Sequence, residues 1–179
     1  MRPYNDQMMS EPEIELTLVD AAATEAMGMA LARAFPGADR GCAVLYLEGE
    51  LGSGKTTCAR SLLRGLGVVG LIRSPTFTLV EAYRLGALTC VHVDLYRLQG
   101  PVEVDELGLR DYLTAGCLLL IEWPERGGAA VPAADLGLTL QYAHSGRRGG
   151  LKAHTAFGAE WLNDLRLDNR LASYVFNLT

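Results

Sequence analysis

One stretch of nine residues, Gly49 to Thr57, constrains the fold more than any other part of this chain. It reads Gly-Glu-Leu-Gly-Ser-Gly-Lys-Thr-Thr and fits the phosphate-binding pattern G-x-x-x-x-G-K-[ST] at every fixed position. The short apolar run before it, Ala43 to Leu47, is typical of a buried strand. Apolar residues at helical spacing follow from Cys58 to Leu66, and Gly67 is suited to end that helix. A phosphate-binding loop requires this order of strand, glycine loop and helix.

Each residue type in the loop has a physical task. Glycines adopt backbone angles closed to other residues, so the loop can approach a phosphate closely. Its N–H groups then surround the anion, and the helix that follows adds the positive end of its dipole. Lys55 would reach the β- and γ-phosphates of a nucleotide as a point charge, and the Thr56 hydroxyl would ligate Mg²⁺.

Composition limits the class of protein. A length of 179 residues predicts one domain with a real core, and 49% hydrophobic with 21% charged residues is ordinary for a globular protein. We expect no transmembrane helix and no secretory signal peptide, because neither apolar pattern occurs. The four cysteines are scattered without zinc spacing, so a reducing, cytoplasmic location is expected. A net charge of −5 argues against a dominant nucleic-acid-binding surface.

The remaining pattern predicts an α/β protein: a single-domain P-loop NTPase fold with a central mixed β-sheet flanked by helices. The domain is expected over residues 13–166, with a disordered lead at 1–12 and a tail at 167–179 for which no structure is predicted. The predicted strands are Glu13–Val19, Ala43–Leu47, a strand opened by Ser74–Thr78 and ending at Leu85, Leu88–Leu95, Cys117–Ile121, Leu136–Tyr142 and Leu151–Phe157. Besides the helix after the loop, the predicted helices are Ala21–Phe35 behind the N-cap Asp20, a short helix from Pro101 continued over Leu107–Leu113, and Ala159–Leu165. The first helix is expected to turn Ala22, Ala26, Met29 and Ala30 inward.

Two of the predicted strands end in a carboxylate, Asp94 and Glu122. In open α/β sheets ligands bind outside the carboxyl ends of the strands, so either side chain could face the phosphates. One would hold the Mg²⁺ that bridges the β- and γ-phosphates, and the other could orient the attacking water. The alternative for each is a solvated carboxylate at a strand exit. His92, between two valines, is interpreted as a buried core histidine rather than a catalytic one.

Four motifs in a fixed order resemble a known family. They are Gly-x-Leu-Gly-x-Gly-Lys-Thr-Thr, Ser74-Pro75-Thr76-Phe77-Thr78-Leu79, His92-Val93-Asp94-Leu95-Tyr96-Arg97 and Ile121-Glu122-Trp123-Pro124. The set resembles the bacterial tRNA threonylcarbamoyladenosine biosynthesis family TsaE, the YjeE-type P-loop ATPases, from about Ile14 to about Phe157.

The resemblance implies a Mg²⁺-dependent ATPase that works with a TsaB–TsaD pair. That pair attaches a threonylcarbamoyl group to the adenosine next to the anticodon of tRNA. In the family the ATPase does not carry out the transfer, and its ATP binding and hydrolysis support turnover of the partner complex. Contact with tRNA is therefore expected only through the partners.

The resemblance also assigns site residues by motif position. Thr56 and Glu122 would hold Mg²⁺, and Asp94 would lie by the γ-phosphate or its water, so that the catalytic set is Lys55, Asp94 and Glu122. Ser74–Thr78 resembles a mobile switch segment. Thr24 and, less closely, Arg147 match positions near the nucleotide; from the residues alone Thr24 is an exposed helix residue and Arg147 a solvated loop residue. The remaining nucleotide contacts are Glu50, Leu51, Gly52, Ser53, Gly54, Lys55, Thr56 and Thr57.

Two other functions use the same loop. A small-molecule kinase would transfer phosphate to a bound acceptor, but the Gly-, Ala- and Pro-rich segment after Glu122 offers only Arg126 as a lid arginine before Leu136. A nucleotide-gated binding module would bind ATP with negligible hydrolysis. No N-K-x-D guanine signature occurs in the sequence, which favours ATP over GTP.

Overall fold

A computed structural model of the chain describes residues 14–39 and 41–168 and the backbone of 175–178. The predicted disordered lead at 1–12 and most of the tail lie outside the described residues. The strands are β1 Ile14–Leu18, β2 Cys42–Gly49, β3 Val80–Leu85, β4 Leu88–Asp94, β5 Cys117–Glu122, β6 Leu136–Tyr142, β7 Arg147–Ala153 and β8 Val175–Leu178. The α-helices are α1 Ala21–Ala34, α2 Lys55–Gly65, α3 Pro101–Asp105 and α4 Ala156–Arg166.

All described strands belong to one mixed sheet, in the order β3-β4-β5-β2-β6-β7-β1-β8. Strands β4, β5, β2 and β6 are parallel, whereas β3, β7, β1 and β8 join by antiparallel pairing. Every residue of β5 is buried, as an uninterrupted apolar strand inside a parallel sheet requires. The predicted single-domain α/β fold with a central mixed sheet is confirmed.

Helices cover the sheet on both faces, and the core is correspondingly divided into two clusters. Helices α1, α2 and α4 pack on one face, where Trp161 of α4 is fully buried and donates from its indole N–H to the carbonyl of Leu31 (2.9 Å). On the other face, Val104 of α3 and the segments around Leu109 and Val131 cover β4, β5 and β2. In the described part of the chain, no helix has the length and apolar character to cross a membrane.

The ends of two helices follow the predicted capping. Asp20 caps α1, because its carboxylate accepts from the N–H of Ala23 at 2.8 Å. Helix α2 ends at Gly65, two residues before the left-handed Gly67, and the N–H of Val68 bonds back to the carbonyl of Leu63 (3.0 Å).

The inward face predicted for α1 is partly wrong. Ala30 is buried and Ala26 is half-buried, but Ala22 and Met29 are exposed. The helix is apolar nearly all round, so its sequence pattern does not fix its rotation about the axis. The close approach of Gly28 to the carbonyl of Cys58 in α2 fixes it instead.

Other boundaries also differ from the predicted ones. Strand β7 begins at Arg147, which the residues alone place in a loop, and not at the predicted Leu151, because β1 and β6 pair with it on both sides. Phe157 lies in α4, which Thr155 caps through the N–H of Gly158. Ser74–Thr78 does not open a strand, because Pro75–Thr78 forms turns before β3. The predicted helix at Leu107–Leu113 is a short 3₁₀ helix, Leu109–Tyr112, after the left-handed Gly108.

Candidate functional site

The glycine loop connects β2 to α2 at the carboxyl edge of the parallel strands. Gly49, Gly52 and Gly54 have φ angles of 129°, 77° and 110°, values that favour glycine. No side chain caps the start of α2, and helix geometry leaves the first-turn N–H groups without intrahelical partners. These donors, together with the helix dipole, make the loop suited to bind an anion.

Neighbouring side chains fit closely around the loop. A Cβ atom on Gly54 would lie 3.1 Å from Cγ2 of Thr24 and 3.2 Å from Nε of Arg147. Arg147 also donates to the carbonyl of Gly52 (3.5 Å), and the Tyr142 hydroxyl donates to the carbonyl of Leu51 (2.9 Å). The predicted positions Thr24 and Arg147 therefore lie beside the loop, and Thr24 is buried rather than exposed.

Lys55 is folded back onto its own loop. Its Nζ donates to the carbonyls of Gly49 (2.6 Å) and Glu50 (2.8 Å) and lies 3.8 Å from the centroid of the Trp123 ring. Burial lowers the pKa of Lys55, and the charge of Glu122 is the largest of the opposing influences. The ammonium group is thus withdrawn from water and held between the loop carbonyls and the Trp123 ring.

Thr56 and Glu122 meet at the start of α2. The Thr56 hydroxyl donates to Oε2 of Glu122 at 2.8 Å, and Glu122 is only 1% exposed. Its other oxygen, Oε1, lies 2.7 Å from Nε2 of His92. Hydroxyl and carboxylate oxygens are the ligands that Mg²⁺ prefers, and this ion commonly binds through few protein groups together with substrate phosphates. These two residues therefore fit a magnesium ion.

Asp94 lies beside Glu122, because the two residues are register partners on β4 and β5. Oδ2 of Asp94 accepts from the Thr76 hydroxyl (2.9 Å), which in turn bonds the Ser74 hydroxyl (2.7 Å). Oδ1 accepts from the N–H of Tyr96 (3.0 Å). The carboxylate thus holds the predicted switch segment against the edge of the sheet.

The structure brings the predicted residues together in one place. Glu50 and Leu51 are exposed at the tip of the loop, Thr57 is half-buried in the first turn of α2, and Ser53 is fully buried. Among the described residues, Oγ of Ser53 and Nε of Arg147 are buried without a hydrogen-bond partner. Buried polar atoms of this kind beside an anion-binding loop are suited to contact a bound ligand.

Sequence reasoning missed three contacts of the site. The sequence pattern assigns no role to Trp123 or Tyr142, although these side chains contact Lys55 and the loop. His92 is buried as predicted, yet it bonds Glu122. The available signal was the alternation along β4, which puts His92 and Asp94 on one face of the strand.

The sheet, the glycine loop and the strand-end carboxylates define a single-domain α/β protein of the P-loop fold. A family model described as threonylcarbamoyl adenosine biosynthesis protein TsaE matches residues 18–149. The chain belongs to the TsaE family, whose members take part in threonylcarbamoyladenosine biosynthesis.

Individual relatives agree with the family model. The tRNA threonylcarbamoyladenosine biosynthesis protein TsaE of Haemophilus influenzae is 43% identical over 115 residues, which cover 64% of this chain and 73% of that protein. The protein of the same name from Nostoc sp. is 36% identical over 148 residues, covering 80% and 87%. The crystal structure of Bacillus subtilis YdiB matches with a TM-score of 0.72 and 29% identity, over 87% of this chain and 95% of that one.

Proposed function

We propose that this protein is a Mg²⁺-dependent ATPase that supports threonylcarbamoyladenosine modification of tRNA as an accessory subunit of a TsaB–TsaD-type complex. The observation that carries the proposal is the 2.8 Å contact between Thr56 and Glu122. It joins the hydroxyl of the loop motif to a buried carboxylate at a strand end, beside a lysine that the loop holds. Membership in the TsaE family supports the assignment to this modification.

The loop and Lys55 would bind the phosphates of ATP. Lys55 exchanges the carbonyls of Gly49 and Glu50 for phosphate oxygens, and the first-turn N–H groups of α2 donate to the same anion. Thr24, Arg147 and the residues from Glu50 to Thr57 surround the nucleotide. When bound, Mg²⁺ would neutralise charge on the β- and γ-phosphates, with Thr56 and Glu122 as its protein ligands.

Asp94 would order the water that attacks the γ-phosphate. Its carboxylate accepts the hydrogen bond of that water, and it gives up the hydroxyl of Thr76 to do so. Binding of the attacking water is thereby coupled to movement of Ser74–Thr78. Hydrolysis by the protein alone is slow because Thr76 occupies Asp94 in the free protein. A partner that holds the segment away from Asp94 accelerates hydrolysis. The partners, rather than this acidic chain, hold the tRNA.

The test is ATP hydrolysis with Mg²⁺, measured with and without a TsaB–TsaD pair. We expect stimulation by the pair, and Lys55→Ala and Glu122→Ala should each lower the stimulated rate on the order of 10²–10³-fold, as removal of one electrostatic stabiliser does in other enzymes. Glu106→Ala, which removes an exposed carboxylate just beyond the end of α3, is the matched control and should keep the rate.

The remaining outcomes separate the alternatives. An unchanged rate of ATP hydrolysis in Lys55→Ala would contradict the assignment of the loop as the nucleotide site. If the TsaB–TsaD pair does not change the rate of hydrolysis, the protein is an ATPase with a different partner. Stoichiometric transfer of phosphate to a metabolite would identify a kinase, and ATP-dependent binding of the pair without turnover would identify a nucleotide-gated module.

A further inference from the structure

We propose that His92 is a positioning residue for Glu122: it binds one carboxylate oxygen so that the other is aimed at Thr56 and the metal. This inference rests on the proposed function in one respect, namely that Glu122 is a ligand of Mg²⁺. It gives a role in the site to a side chain that sequence reasoning placed in the core.

The carboxylate of Glu122 is held at both oxygens by different elements. His92 of β4 approaches Oε1 at 2.7 Å, and Thr56 of α2 donates to Oε2 at 2.8 Å. His92 is 0% exposed and Glu122 is 1% exposed, so water does not compete for these oxygens. With both oxygens held, the carboxylate plane cannot rotate freely about its terminal bond.

Strand pairing explains why the imidazole reaches this carboxylate. Strands β4 and β5 pair in parallel, with Asp94 opposite Glu122. Two residues earlier on each strand, His92 lies opposite Leu120. Residues two apart on a strand share a face, so His92 and Glu122 lie diagonally on one side of the sheet. The flanking Val91 and Val93 pack into the core cluster on the other side.

The donor in this hydrogen bond can be assigned. A carboxylate oxygen only accepts, so the proton lies on Nε2 of His92. The other ring nitrogen, Nδ1, is buried and has no hydrogen-bond partner among the described residues. A proton on Nδ1 would instead leave a buried donor unsatisfied and set the Nε2 lone pair against the carboxylate. We therefore assign the Nε2–H tautomer.

A positioning role and a merely structural role predict different measurements. If His92 only stabilises the fold, its replacement weakens the protein without changing how bound nucleotide responds to Mg²⁺. If it orients the carboxylate, replacement weakens Mg²⁺ binding and leaves metal-free nucleotide binding intact. Hydrogen-bond partners of metal ligands typically contribute about 10–100-fold in metal affinity or activity.

Two variants of similar polarity separate the contribution of Nε2 of His92 from that of Nδ1. In His92→Gln the amide nitrogen lies as many bonds from Cα as Nε2 of the imidazole and can still donate to Oε1. In His92→Asn the amide nitrogen takes the place of Nδ1, so the bond to Glu122 is lost. Cys90→Ala is the matched control, because it removes a fully buried side chain from the same strand without touching Glu122.

The measurement is the affinity of a fluorescent ATP analogue along a series of Mg²⁺ concentrations, with denaturant unfolding in parallel. We expect His92→Asn to raise the Mg²⁺ midpoint about 10–100-fold, while His92→Gln and Cys90→Ala stay near the wild type. Metal-free affinity for the analogue should be the same in all four proteins. Equal Mg²⁺ midpoints in His92→Asn and His92→Gln would overturn the inference.

Two further results separate this inference from the proposed function. If the nucleotide affinity of the wild-type protein does not depend on Mg²⁺, both the proposed function and the role of Glu122 as a metal ligand are overturned. A Mg²⁺-dependent wild type with an unaffected His92→Asn would overturn only the role of His92. If His92→Asn does not fold, nitrogen-15 NMR of the wild-type imidazole decides: the Nε2–H tautomer supports the assignment, and the Nδ1–H tautomer contradicts it.

Discussion

Single side chains at the strand ends are held by residues far away in the chain. Glu122 accepts from Thr56, 66 positions earlier, and contacts His92, 30 positions earlier. Asp94 is fixed in the same way by Thr76. Each of these carboxylates is nearly or fully buried, so losing one donor would leave an unsatisfied acceptor at a cost of about 1–3 kcal/mol.

Two buried thiols make the stability of the protein vary with pH in the alkaline range. Burial, with a smaller contribution from the charge of Glu122, raises the pKa of Cys58 from 9.0 to about 12. Burial likewise raises the pKa of Cys90 to about 12. The folded state therefore binds these protons more tightly than the unfolded state. Their stabilisation is complete below about pH 9 and is lost as the pH rises toward 12.

Because the pKa of each thiol is raised, we expect each to lower the free energy of unfolding by about 1.4 kcal/mol as the pH rises from 7 to 10. The measurement is denaturant unfolding of the wild type and of Cys58→Ala at both pH values. The variant should lose about 1.4 kcal/mol less than the wild type over this interval. Ser61→Ala, a change on the same helix without a thiol, should follow the wild type. Equal losses in the wild type and Cys58→Ala would contradict the prediction.

At the scale of elements, the α1–α2 contact sets the position of the helix that carries the loop. Thr24 and Gly28 of α1 face α2, and the Ser61 hydroxyl donates to the carbonyl of Glu25 (2.6 Å). A Cβ atom on Gly28 would collide with the carbonyl of Cys58 and lie 2.8 Å from Cβ of Ser61. Close packing at this crossing depends on the absence of a side chain at position 28.

Gly28→Ala should therefore lower the unfolding free energy by up to about 2 kcal/mol. Overpacking against backbone costs about 1–3 kcal/mol, which exceeds the gain of up to about 1 kcal/mol from the better helix propensity of alanine. Denaturant unfolding measures the change. Gly100→Ala is the matched control, because Gly100 has an extended backbone and open space around it. A more stable Gly28→Ala would show that the two helices separate without cost.

At the scale of the whole molecule, the order of the sheet places the site. Strand β2 lies between β5 and β6, and all three run parallel with β4. Their carboxyl ends therefore meet at one edge, where the loop, Asp94 and Glu122 lie together. A nucleotide bound there would contact residues from α1, α2, β4, β5 and β7, so its binding should stabilise the fold as a unit.

Saturating MgATP should raise the melting temperature. At a ligand concentration of about 100 Kd, binding adds about 2.7 kcal/mol, which corresponds to roughly 5–10 °C for a chain of this size. Thermal unfolding with and without MgATP measures the shift. Lys55→Ala should lose it, and AMP, which lacks the β- and γ-phosphates, is the ligand control. A wild-type melting temperature that ignores MgATP would contradict nucleotide binding at this loop.

Local pattern was sufficient for much of this fold. The glycine loop with its flanking strand and helix, the cap Asp20 and the buried strand β5 are confirmed, because each depends on neighbours along the chain. Strand β7 was misplaced because Arg147 through Gly150 are polar or small, and only pairing with β1 and β6 makes them a strand. From the residues alone Thr24 is expected on the surface, because helical spacing does not show that Gly54, at the start of α2, lies against it.

The sequence by itself determined which groups the candidate site contains: a glycine loop of the phosphate-binding pattern, a lysine, a threonine and two carboxylates at strand ends. These signals are short in range, so residue type and spacing carry them. Only the tertiary structure decided that the Thr56 hydroxyl meets Glu122, that Lys55 lies over Trp123 and that His92 bonds the same carboxylate. These contacts join separate elements, and their geometry depends on strand order, register and helix packing, which no single segment encodes.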